Sequence, residues 1–264
     1  MENEVTYRLG FFLVLYLLFA GLETLWPRRK RTQTRARRWS TNWGIIIIDS
    51  LALRALAVLM PLLAVGAAID AGQNQIGLFN ILDWNPWAEA FLVILIFDVA
   101  IWFQHLITHK IPILWRLHRV HHSDRDMDVT TAIRFHPIEI LLSMLLKIGL
   151  VYILGPAAWA IVAFEIILNG TAMFNHANIK LSPGLDRMVR KVMVTPDMHR
   201  IHHSKIRSEH DSNYGFSISL WDRLFGTYID NVEGGDEAIT VGLQWQDDKP
   251  GKLSWSLFLP FFRK

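Results

Sequence analysis

Long, nearly uninterrupted apolar runs constrain this chain more than any other feature. They cover about Leu9 to Trp26, Trp43 to Ala68, Pro86 to His109 and Pro137 to Phe174. About eighteen apolar residues suffice to carry a helix across the hydrocarbon of a bilayer. In lipid the backbone must satisfy its own hydrogen bonds, which selects helices over open strands. The chain is 52% hydrophobic, modestly above the ~45–50% of soluble domains, and the excess sits in these runs. The last run is about twice as long as one span needs, and Gly155-Pro156 divides it. It reads as a helical hairpin whose short arms are re-entrant or spanning. The expected fold is all-α: a polytopic membrane helix bundle of three spans plus a hairpin, with a helical cap on one side. Asn85-Pro86 supplies a cap and a first-turn proline for the third span. Trp84 and Trp87 fit an interfacial belt beside it. The flank Met1-Glu2-Asn3-Glu4 is acidic and no small-residue cleavage site follows, so the first run reads as a retained helix rather than a signal peptide.

Charge placement orients the bundle. The net charge is only +3, yet seven basic residues fall between Arg28 and Arg38. Wedged between apolar runs, they read as a cytoplasmic loop facing anionic lipid rather than as a nucleic-acid site. The loop from Asp70 to Trp84 and the tip near Gly155 carry no Lys or Arg; the loop belongs outside with the amino terminus, and the tip is outside or buried. The stretches 110–136 and 175–264 are rich in Lys and Arg and belong inside. Within the second run, Asp49 and Arg54 are expected to pair or to snorkel, with no functional role required. Leu253–Phe262 reads as a segment on the membrane surface. There is no internal repeat and no flexible linker. The organisation is 1–85 as amino-terminal spans and basic loop, 86–230 as the domain holding the chemistry, and 231–264 as an interfacial tail.

There is no cysteine, which excludes disulfides, thiolate metal sites, iron–sulfur clusters and cysteine nucleophiles. Ten of the eleven histidines fall in five groups: His105 and His109; His118, His121 and His122; His136; His176; and His199, His202 and His203. On a helix, residues three or four apart share a face, while adjacent residues diverge by about 100°. An H-x2-H-H triplet can therefore serve two neighbouring ions, and ten imidazoles are too many for one ion of four to six ligands. At about 1.5 Å per residue, a helix starting at Pro86 reaches His105 after roughly 29 Å, the inner edge of the hydrocarbon. His136 and His176 flank the hairpin and return to the same depth. All the histidines therefore lie at or near the cytoplasmic side. Only His210 is left as an ordinary surface or core histidine.

These motifs, HLITH at 105–109, HRVHH at 118–122, RFHP at 134–137, NHAN at 175–178 and HRIHH at 199–203, resemble the fatty acid hydroxylase/sterol desaturase superfamily. The stretches TTAIRFHPIE (130–139) and SNYGFSISLWDRLFGTY (212–228) are similar to its bacterial branch. The resemblance covers about Pro86 to Tyr228. It implies a non-haem di-iron centre held by the ten histidines, with O2 as co-substrate and an external electron donor of ferredoxin or cytochrome b5 type. It also implies a lipid substrate and a bacterial inner membrane. Spacing alone leaves the metal open, since imidazole suits iron, zinc and copper.

Three further polar residues are candidates for the catalytic site. Asp98 lies seven residues before His105, nearly on the same helical face, and is expected to orient a ligand histidine or to pair with another buried polar group. Glu165 and Asn169 share a stripe with His176 and are expected to face the metal cavity, Glu165 as a histidine partner, a substrate contact or a member of a structural polar pair. Asp124, Asp197 and Asp211 lie near the motifs and could each accept a histidine N–H, but read first as solvated loop charges. Arg187, Arg190, Lys191 and Arg200 are expected to meet lipid headgroups or an acidic donor. The resulting expectation is O2-dependent oxidation of a lipid C–H bond, hydroxylation ahead of desaturation. No G-x-G-x-x-G opens a βαβ unit, so electrons come from a separate redox protein. Two rivals stand beside this reading. A histidine-rich metal transporter would spread its ligands through the membrane, and a zinc hydrolase would be expected to carry an H-E-x-x-H helix.

Overall fold

The computed structural model describes residues 4–59, 63–82, 84–245 and 249–262. Residues Met1-Glu2-Asn3 of the acidic flank lie outside the described residues. Five helices are long and apolar enough to cross a membrane: α1 (Glu4–Leu25), α2 (Arg35–Leu59, as far as Val58), α5 (Pro86–Lys110), α7 (Pro137–Leu154) and α8 (Ala158–His176). Two short helices, α3 (Ala64–Gln73) and α4 (Leu78–Ile81), lie between α2 and α5. The rest forms a cap: α6 (Pro112–His122), α9 (Pro183–Val189), α10 (Pro196–His202), α11 (Arg207–His210), α12 (Leu220–Leu224) and α13 (Leu253–Phe258). Among the described residues there is no strand, only three isolated bridges. The all-α membrane bundle with five candidate spans agrees with three runs plus a hairpin.

Local chemistry sets the boundaries. Asn85 accepts hydrogen bonds from the Trp87 and Ala88 amides and Pro86 occupies the first turn of α5, as its missing N–H allows. Ile111 is extended ahead of Pro112, as proline requires of its predecessor. The chain turns sharply there, and α6 doubles back against α5. Gly155 caps α7 in the left-handed conformation. A Cβ on Gly77 would lie 2.2 Å from the Gly155 backbone nitrogen, so the α3–α4 turn can pack on the hairpin tip only with glycine at that position.

The apolar core joins α3, α5, α7 and α8 around Phe97 and Phe164, whose rings meet at 5.1 Å. Residues 64–68, expected to complete the second span, instead open α3. Its Ala64, Ala67, Ala68 and Ala71 are buried, and such small side chains let helices approach closely.

Three expectations about the surface are corrected. The basic run does not simply face lipid. Arg28 pairs with Asp197, Asp236 and Glu237, Arg31 and Arg35 with the buried Glu23, and Arg38 with Asp124 and Asp128. Asp124 is accordingly a buried ion-pair partner and not a solvated loop charge. Arg190 and Arg200 are also buried, paired with Asp186 and Asp197 respectively. The segment 253–262 packs one face into the cap and leaves Phe258, Phe261 and Phe262 exposed, as a surface segment would. Leu259 is fully buried with Ile45 and Val120, Arg119 donates to the Leu259 and Phe262 carbonyls, and Arg134 donates to Pro250 O and Ser256 Oγ. The reason is common to all three. Carboxylates and carbonyls distant in sequence fold over the basic side chains, and a buried guanidinium must be paired.

Candidate metal centre

Nine of the ten histidines converge, and each is at most 4% exposed. α5 contributes His105 and His109, α6 His118, His121 and His122, α8 His176, and α10 with its C-cap His199, His202 and His203. The ring nitrogens form two groups in which one atom from each residue lies within 4.8 Å of the others. His105, His109, His118, His122 and His202 make the first, and His121, His176, His199 and His203 the second. Each adjacent pair is split between them. The planes of His121 and His122 stand at 82°, as do those of His202 and His203, and neighbours that diverge around a helix can serve separate groups.

Hydrogen bonds fix which nitrogen is available. The Nδ1 atoms of His105, His176 and His202 each lie 2.7 Å from a carbonyl, of Tyr214, Ala172 and Ser212 respectively. His121 Nδ1 meets the Arg134 carbonyl at 3.3 Å, and His118 Nδ1 meets Glu139 Oε1 at 2.6 Å. A carbonyl or carboxylate can only accept, so these Nδ1 atoms carry the proton and the Nε2 atoms carry lone pairs. Yet His105 and His118 face each other Nε2 to Nε2 at 3.0 Å, and so do His121 and His176. His199 and His203 also reach His176 Nε2, at 3.1 and 3.2 Å. Lone pairs opposed at that distance repel unless a cation lies between them.

A proton is a poor candidate for that cation. Burial holds the His118 imidazole down to about 3, with His210 adding to the effect. Burial and neighbouring imidazoles hold His121, His122, His199, His202 and His203 well below their ordinary value. Neutral imidazole is the form that binds metal. His109 Nε2, both nitrogens of His122, His199 Nδ1 and His202 Nε2 are buried without a hydrogen-bond partner, so the donor set fits metal ions.

The carboxyl-terminal motif has a definite part in this. Asp222 accepts from the Tyr214 and Gly215 amides, Trp102 Nε1 and Thr227 Oγ1. It thereby holds the loop that presents the carbonyls of Ser212 and Tyr214 to His202 and His105. Asn213, at φ 51°, spans Met198 O and Ile229 O. Asp222 and Glu139 were not singled out from the sequence. Both lie inside the family-like stretches, which was the available signal.

The other candidates are placed as follows. His136 belongs to neither histidine group. Its Nδ1 accepts from Ile138 N as the cap of α7, and its Nε2 meets Leu257 O. Its position one residue before Pro137 makes it a helix cap. Asp98 touches no histidine and instead accepts from Trp221 Nε1 at 2.7 Å and Ile218 N at 3.3 Å. Glu165 pairs with Lys147 at 2.7 Å and Arg8 at 2.8 Å, and Asn169 donates to the Glu165 carbonyl. His210 is half-buried and stacks on Trp115 outside both all-histidine groups, with a ring nitrogen within 4.8 Å of donor atoms of His109 and Asp211. Asp211 joins Lys110 and lies 3.4 Å from His109 Nδ1. Asp49 and Arg54 do not pair: Arg54 is exposed, and Asp49 is buried.

A cavity of about 360 Å³ opens beside the first group, a size suited to a small ligand or a lipid segment. His105, His118, Glu139 and Asp49 line it, as do Glu165 and Asn169, with Phe135, Met144 and Leu168 among its apolar walls.

The family model for fatty acid hydroxylase matches residues 90–227. The chain is 32% identical over 148 residues to an ornithine lipid hydroxylase of Rhizobium tropici, which covers 54% of this chain and 44% of that protein. It is 29% identical over 172 residues to the human alkylglycerol monooxygenase, covering 63% of this chain and 35% of that protein. A fatty acid hydroxylase of a Lecanicillium species is 27% identical over 191 residues, covering 66% and 52%. The chain thus spans about half or less of these relatives' length. No solved structure matches. With its buried histidine groups and its matched core, the chain belongs to the fatty acid hydroxylase family.

Proposed function

We propose that this protein is a membrane lipid monooxygenase that inserts one oxygen atom of O2 into a lipid C–H bond at a di-iron site. The observation that carries this reading is the pair of buried histidine groups beside a cavity with apolar walls and a few polar groups, within a bundle of membrane-length helices. His105, His109, His118, His122 and His202 would hold one ion, and His121, His176, His199 and His203 the other. The ions would supply O2 activation and one-electron redox chemistry, which zinc does not offer. The balance is lipid C–H plus O2, two electrons and two protons giving lipid C–OH and water. Without cysteine or a nucleotide-binding unit in the chain, the electrons come from a separate redox protein.

The chain's own groups orient and exclude. Glu139 and the Tyr214, Ser212 and Ala172 carbonyls hold the imidazoles in one tautomer, and such outer partners govern metal affinity. Phe135 and Phe216 screen the cluster from the cavity side. Glu165 and Asn169 shape the cavity wall, while Asp98 anchors the 217–221 segment to α5. The grouping of all nine histidines in one layer favours an oxygenase over a transporter. Arg28 and Arg38 pair with cap residues, so the basic loop and the cap share a face. By the positive-inside rule we place that face in the cytoplasm, with the amino terminus outside, in the inner membrane of a bacterium.

Lipid mass spectrometry of cells with and without the protein tests the reading. Gain of one oxygen in one lipid class supports hydroxylation, and loss of two hydrogens would move the assignment to desaturation. No change with a competent reductant in air, or purified protein holding zinc and no iron after expression in iron-replete cells, would overturn it.

A further inference from the structure

We infer that the cavity selects a lipid whose head group carries hydrogen-bond donors, a hydroxyl or an ammonium, and that Asp49 is the residue that selects it. This rests on the oxygenase reading above. Asp49 lies in a candidate membrane-spanning helix, is 4% exposed, and lines the cavity. Its Oδ1 is buried without a hydrogen-bond partner among the described residues. An ionisable side chain in that setting is usually functional, and an acceptor left unpaired away from water is costly until a donor reaches it.

The surroundings of Asp49 define that donor. On the same cavity wall, Glu139 gives Oε1 to His118 and leaves Oε2 unpartnered. Two of the hydroxyls on this wall are spent internally, Ser50 on the Ile46 carbonyl and Thr108 on the His105 carbonyl. The cavity's cations, Arg8 and Lys147, are both engaged by Glu165. Lys147 lies eight residues beyond Glu139 on α7, about 12 Å away along the helix axis. The end of the cavity beside the histidines therefore offers open acceptors, and its cations lie at the far end. A hydroxyl or ammonium satisfies such a wall, whereas a group that offers acceptors alone, such as an ether oxygen or a carboxylate, does not.

The placement has a consequence for the reaction. Glu139 touches His118 directly, so a head group held between Asp49 and Glu139 lies beside the metal cluster. The tail then runs along Leu53, Met144 and Leu168 toward the Glu165 end. The C–H bonds presented for oxidation are those next to the head group, not those near the tail terminus.

The test uses the metal-loaded protein in lipid nanodiscs, anaerobic and without reductant, so that binding is read apart from turnover. The probes are 1-hexadecanol, hexadecylamine, hexadecyl methyl ether and palmitate. The alcohol and the amine are expected to bind at least about tenfold tighter than the ether, the ratio that one hydrogen bond to a charged acceptor supplies. Palmitate should bind no better than the ether. Asp49→Leu should abolish the preference and leave ether binding unchanged, and Asp49→Asn should keep the alcohol and lose the amine. Equal binding of alcohol and ether by the wild type, or a preference that survives in Asp49→Leu, would overturn the inference. The wild-type comparison decides by itself if the variant does not fold. Discrimination without aerobic lipid oxidation would leave the subsite standing and remove the oxygenase reading. Lipid oxidation without discrimination would do the reverse.

Discussion

His118 points its Nδ1 at the Glu139 carboxylate, 2.6 Å away at the first turn of α7, and turns its Nε2 to face His105 Nε2 at 3.0 Å. The carboxylate is thus what commits His118 to the metal side. Glu139→Ala should lower iron affinity about 10–100-fold, the usual effect of removing such a partner. Glu139→Gln, whose amide oxygen still accepts the proton, should recover most of it. Iron per protein, measured against a chelator series, checks the pair, and equal affinity in all three proteins would refute the role.

His136 and His176 make a matched contrast. His136→Ala should retain full iron content and lose about 0.5–2 kcal/mol of stability as a helix cap. His176→Ala removes the nitrogen that His121, His199 and His203 all approach, and should lose about half the iron. Metal analysis of the two variants side by side decides between them. Equal loss in both would return His136 to the ligand set.

Arg38 meets Asp124 twice at 2.7 Å and Asp128 at 2.5 Å while only 2% exposed. Arg38→Ala should cost about 3–5 kcal/mol because two buried carboxylates lose their partner. Burial alone would raise the Asp124 carboxyl, but Arg38 overrides it and holds it below the usual carboxylate range. A group depressed in the folded state stabilises fully above its unfolded value, about 4, and loses that stabilisation as pH falls toward the folded one. Thermal unfolding of wild type should therefore weaken below about pH 4, and Arg38→Ala should show a shallower dependence in that range.

Asp98 holds the Trp221 indole and the Ile218 amide rather than any histidine. Asp98→Ala should leave iron content unchanged and destabilise by about 1–3 kcal/mol through the unpaired indole N–H. Loss of iron without loss of stability would instead assign Asp98 to histidine positioning.

Glu165 stands between two cations inside the membrane-length bundle. Glu165→Gln should lower thermal stability and leave iron loading unaltered. Full turnover and unchanged stability together would remove Glu165 from both the cavity and the fold.

Much of this protein was legible in one dimension because its strongest constraints are local. A run of apolar residues has no alternative to helix in lipid, so the spans and the hairpin break at Gly155-Pro156 follow from composition and order. The helical period splits His121 from His122 and His202 from His203, so two groups follow from spacing. Asn85-Pro86 and Ile111-Pro112 fix their boundaries through steric rules that involve only neighbours.

What needed the tertiary structure is every choice that depends on which distant group arrives. RFHP places a histidine before a proline, and only the fold shows that this position caps α7 and reaches Leu257 instead of the cluster. Seven basic residues read as a lipid-facing loop until Glu23, Asp124, Asp128 and Asp197 fold over them. In sequence, Asp49 needs no role beyond a pair with Arg54 or a place beside a snorkelling Arg54, and the packing of α2 against α7 puts it on the cavity wall. Sequence alone determined a membrane helix bundle with clustered imidazoles, because hydrocarbon and helix periodicity act within a segment. The fold decided which imidazoles meet, which charges are paired and which carboxyls stay open, because burial and pairing are properties of surfaces brought together.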